Sequence, residues 1–91
     1  MTAVVTTTEV STVPDILLAA AELAAHQGTA GQAVTVALYF LDSRYPAAEV
    51  ALERAMHRPQ GISIAMVLSA RCGTARQVAD AITRAALERA A

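Results

Sequence analysis

The sequence predicts an all-α protein, a small bundle of four to five helices, and three observations carry that prediction. Apolar residues make up 55% of the 91, yet only Tyr39, Phe40 and Tyr45 are aromatic. The core volume must therefore come from Ala, Leu, Val, Ile and Met, a helix-favouring set with small side chains at the contacts. Helix-start letters recur as Thr12-Val13-Pro14-Asp15, as Thr29 with Gln32, and as Thr74 with Gln77. Each sets a hydroxyl where it can accept a first-turn amide. Finally, the stretches after Pro46 and after Thr74 place apolar residues on one face at helical spacing.

Taken in order, Met1 to Ser11 is rich in Thr and Val without helix signals, and reads as a flexible N-terminal tail over 1–11. That leaves 12–91 as a single helical domain, near the lower size limit for a self-sufficient core. The first helix should run from Pro14 to about Gln27 and stop at a left-handed Gly28. Asp15, Glu22 and His26 fall on its outer face, opposite Ile16, Ala20 and Leu23 on the buried side. From Gly28 to Leu41 the pattern is ambiguous. Val34, Val36, Leu38 and Phe40 alternate as in a buried strand, whereas Thr29-Ala30-Gly31-Gln32 has the form of a capping box. A polar break, Leu41-Asp42-Ser43-Arg44, then leads to a helix from Pro46 to about His57.

In that helix Ala48, Leu52, Ala55 and Met56 face one way and Glu49, Val50, Glu53 and Arg54 the other. Arg58-Pro59-Gln60-Gly61 is a turn by composition. Ile62 to Arg71 repeats the helix-or-strand ambiguity, so an α/β fold built on the two alternating runs stays open beside the bundle. The last helix follows Gly73, with Val78, Ile82 and Ala85 as its buried stripe. Arg76, Asp80, Arg84 and Glu88 alternate in sign at intervals of four, a solvated and salt-bridged face. Gly28-Thr29-Ala30 with Gln32 also recurs as Gly73-Thr74-Ala75 with Gln77. If that is a repeat, a helix precedes each glycine and another follows.

Composition narrows function mainly by exclusion. A net charge of −1 is unlike the basic balance of a general nucleic-acid binder. Residues 1–43 carry four acids and no Arg or Lys, while residues 44–91 carry seven Arg against four acids. Such a split suits intramolecular pairing, a homo-oligomer or an acidic partner. The lone Cys72 makes no internal disulfide, the start has no secretory pattern, and the longest apolar run is far below the roughly 20 residues that cross a bilayer. A cytoplasmic protein without membrane contact is the expectation. His26 and His57 read as surface residues, and Cys72 beside Arg71 as an inert packing thiol rather than an activated one. No phosphate loop, acid pair or nucleophile triad has local support, so an enzyme is not expected.

Asp42-Ser43 precedes the helix Pro46 to His57. Gly61-Ile62-Ser63-Ile64 has a glycine-hydrophobic-x-hydrophobic form, and Thr74-Ala75-Arg76-Gln77-Val78-Ala79-Asp80-Ala81-Ile82 opens the last helix. With these three segments, Pro14 to Ala86 resembles the acyl and peptidyl carrier proteins, with Arg44 standing where that family usually has leucine. The resemblance implies a carrier-like helical bundle, Ser43 as the attachment point of 4′-phosphopantetheine, and a protein that shuttles or docks thioester-bound intermediates. Its partners would be biosynthetic enzymes docking on the helix around Glu49, Val50 and Glu53. The competing expectation is a non-catalytic helical interaction module, or a helix-turn-helix regulator using Ser63 to Leu87.

Overall fold

A computed structural model of the chain describes residues 12–90; the expectation for the tail at 1–11 lies outside them. Among the described residues five helices follow one another: α1 (Val13–Ala25), α2 (Ala30–Arg44), α3 (Pro46–Ala55), α4 (Ile64–Arg71) and α5 (Ala75–Ala90). The described residues contain no strand, so both ambiguous runs are helices and the α/β alternative is set aside. The protein is a small all-α bundle.

Hydroxyl caps start four of the five helices. Thr12, Thr29, Ser63 and Thr74 accept the amides of Asp15, Gln32, Met66 and Gln77 at 3.3, 3.1, 3.2 and 3.1 Å. Each such cap contributes about 1 kcal/mol. Gln32 and Gln77 reach back past the cap to the amides of Gly28 and Gly73, at 3.3 and 2.6 Å. Gly28 therefore does not end α1 in a left-handed turn as expected; α1 stops at Ala25 with His26 as its right-handed cap.

Each helix contributes at least one fully buried side chain: Leu17, Leu41, Leu52, Leu68, and Val78 with Ile82. Helix α1 lies against α2 and α5, and α4 makes its main contact with α2. The inner face of α1 is Leu17, Ala20, Ala21 and Ala24; of the expected set Ala20 is fully buried, Ile16 packs partly buried against the core, and Leu23 falls outside it. That face sets one leucine among three alanines, small side chains that suit a helix packed against two neighbours. Leu18 and Leu23 are left 42% and 38% exposed. Helix α3 ends at Ala55, two residues short of the expected His57, and buries Ala48 and Leu52 as expected, with Met56 buried at its cap and Ala55 partly buried.

At the end of α3 the amides of His57 and Arg58 donate to the carbonyls of Arg54 and Glu53, at 3.1 and 3.0 Å. This is a Schellman closure with His57 in the left-handed position, φ 54°. Gly61 at φ 86° then completes the turn in which the Ile62 amide donates to the Pro59 carbonyl.

Candidate functional site

Ser43 does not open a helix. Helix α2 continues through Asp42 and Ser43 to Arg44, and the break expected at Leu41–Arg44 is reduced to Tyr45, at φ −134° and ψ 65°. Pro46 explains the boundary, since its ring bars the preceding residue from the helical conformation and leaves earlier ones free to stay in it. Ser43 is exposed, and its hydroxyl donates to the Phe40 carbonyl one turn back at 3.5 Å. It does not cap α3 either: Tyr45 holds that position and no side chain caps it.

The fit to phosphopantetheine follows from this geometry. An attached phosphodiester is favoured beside unpaired amides at a positive helix end, whereas Ser43 sits among the last-turn carbonyls of α2, the negative end. Helix α3 starts close by, but Pro46 has no amide hydrogen, and the Ala48 and Glu49 amides are bonded to the Tyr45 carbonyl at 3.0 and 3.1 Å. The residues around Ser43 do not form the anion-binding helix start that the group calls for.

The acidic surface on α3 is partly engaged within the chain. Glu53 is half-buried and pairs with Arg58 at 3.5 Å, and Arg58 donates in turn to the Ile62 carbonyl at 2.6 Å. Glu49 is also half-buried. Its carboxyl is raised above the ordinary glutamate value, first by burial and then by the nearby charges of Asp42 and Glu53. Val50, 45% exposed, is the open residue of the expected docking trio.

A second exposed surface lies on α1 and α2. Tyr39 is 74% exposed and stands between two shallow depressions. One, of about 380 Å³, is lined by Leu23, Val36, Phe40, Ser43 and Arg44; the other, of about 700 Å³, by Gln27, Gly31, Gln32, Thr35 and Val36. Phe40 is held from behind by Tyr45, ring centres 5.2 Å apart and tilted by 50°. The sequence displayed this face without marking it: three aromatics sit close together, but exposure depends on which way α2 is turned. Ser43, singled out for another reason, lies at its edge.

Cys72 is buried, and burial pushes its thiol above the usual value despite the opposing pull of Arg71. Among the described residues no three His, Cys, Asp or Glu side chains gather in a way that would hold a metal ion, and no helix is long and apolar enough to cross a membrane. Helices α4 and α5 flank Gly73, and α4 packs chiefly on α2. Comparison with protein-family models, curated proteins and solved structures returned no match.

Proposed function

We propose that the protein is a non-catalytic interaction module whose partner docks across the α1–α2 face. One observation carries this reading: Tyr39 projects from α2 between Leu23, Val36 and Phe40, with Arg44 at the end of the row. An exposed tyrosine rimmed by exposed Leu23 and half-buried Val36 and Phe40 has the composition of a binding hot spot. The occupant that fits is an apolar segment of another protein with a carboxylate placed for Arg44. Affinity capture from the native host tests it, comparing the wild-type chain with Tyr39→Asp and with Val50→Asp on α3. A partner retained by wild type and Val50→Asp but lost with Tyr39→Asp, at unchanged circular dichroism, is the expected result. A partner set indifferent to Tyr39→Asp overturns the assignment.

A second reading is a carrier-type protein modified at Ser43, with enzymes meeting it around Glu49, Val50 and Glu53. What favours it is that Ser43 is exposed at the edge of an apolar depression. What weighs against it is the helix-end position described above. Intact mass after treatment with coenzyme A and a broad-specificity phosphopantetheinyl transferase separates the two readings.

A further inference from the structure

The outward side of α5 carries Arg76, Asp80, Arg84 and Glu88, all exposed. Each has a neighbour of opposite sign one helical turn away, yet the ion pair found among the described residues is Glu53 with Arg58, elsewhere in the bundle. The expected salt-bridged row is thus a row of unengaged charges.

Their order has a property that spacing by four does not require. Set antiparallel against a copy of itself, about a two-fold axis level with Ile82, Arg76 meets Glu88 of the partner subunit and Asp80 meets Arg84 of the partner subunit. The symmetry repeats both, so every cross-pair is opposite in sign. Sliding the copies by one turn in either direction sets Arg against Arg and acid against acid. A parallel arrangement in register sets like against like throughout. Among two-fold arrangements that engage all four charges, the antiparallel one centred on Ile82 is therefore the one that pairs each with its opposite, as charged flanks do between paired helices. An apolar anchor lies beside the row: Leu87 is 61% exposed. At the other margin, Leu18 shares a depression with Arg76 and Asp80 between α1 and α5.

We propose that this face of α5 is the contact between two copies of the chain, an isologous antiparallel dimer. The contact is independent of the α1–α2 docking face. Its contribution is electrostatic selection of register, with Leu87 covered at each end.

Sedimentation velocity over a concentration series tests it with three proteins: wild type, Asp80→Arg, and the charge swap Asp80→Arg with Arg84→Asp. The wild type should dimerise at low salt and return toward monomer at 1 M salt, where the screening length is only about 3 Å. Asp80→Arg sets two like-charge contacts across the axis and should weaken the dimer by about tenfold or more, since symmetry counts each change twice. The swap restores every opposite pair and should recover dimerisation, with circular dichroism confirming that all three fold alike. A wild type monomeric throughout, an Asp80→Arg variant that associates as well as wild type, or a swap that fails to recover overturns the proposal.

Discussion

The junctions at Gly28 and Gly73 are nearly the same in local detail and different in what they join. At both, a threonine accepts the amide three residues on, at 3.1 Å, and a glutamine accepts the glycine amide before the cap. A Cβ on either glycine would meet that glutamine oxygen at 3.4 Å. Yet α1 folds back along α2, while α4 turns away from α5 to rest on α2. The cap letters determine where a helix starts. The angle at which it leaves is set by the apolar faces on either side, Leu17 to Ala24 in one case and Ile64 to Leu68 in the other.

Core truncations probe that difference most strongly. Leu17→Ala and Leu68→Ala should each destabilise by about 2–5 kcal/mol, with Leu17 costlier because α1 is enclosed by α2 and α5. Chemical denaturation measures both; a larger loss at Leu68 would reverse the ranking of the junctions. The cap substitutions Thr29→Ala and Thr74→Ala should each cost about 1 kcal/mol and match one another. A clear inequality would mean that the equivalence is only geometric.

A third helix end, with histidine where glycine is preferred, gives a smaller effect of opposite sign. His57→Gly should stabilise by about 0.5–1 kcal/mol, since the left-handed strain it relieves exceeds the extra chain entropy of glycine. A loss of stability would show that the imidazole makes a contact worth more than the strain. The smallest effect belongs to Glu49. Its carboxyl is raised in the folded state, so its ionisation works against folding at neutral pH, and that penalty disappears as pH falls through the raised value. Glu49→Gln should therefore be slightly more stable than wild type at neutral pH, and the gap should close well below the ordinary glutamate value of about 4.3. Thermal melts across that range check the sign.

These contrasts show what the sequence could and could not display. Caps were readable, because Thr12, Thr29 and Thr74 act through backbone geometry within one turn. Helix α3 was readable because its apolar and charged faces are distinct. Helices α2 and α4 were not, since runs apolar on all sides fit a buried strand and a buried helix equally well. What separates them is the set that becomes buried, Ala33, Val34, Ala37 and Leu41 in α2 and Ile64, Val67 and Leu68 in α4, which follows a helical stripe. Hydrophobicity also misled at α1, where Leu17, Ala21 and Ala24 join Ala20 in the interior and Leu23 is left 38% exposed.

Ser43 is the instructive case for the site. Reading Asp42-Ser43 as the start of the next helix treats polar residues as a break, whereas Pro46 fixes the break at Tyr45 and leaves the serine in the helix before. The tyrosine face went unremarked because no motif marks an exposed side chain.

The distinction between a surface that binds and a serine that is modified comes down to one mass. The full chain, incubated with coenzyme A and a broad-specificity phosphopantetheinyl transferase alongside a known carrier domain as positive control, should keep its unmodified mass while the control gains the cofactor. A matching gain on this chain that disappears in Ser43→Ala would contradict the account and make Ser43 the centre of the protein's function.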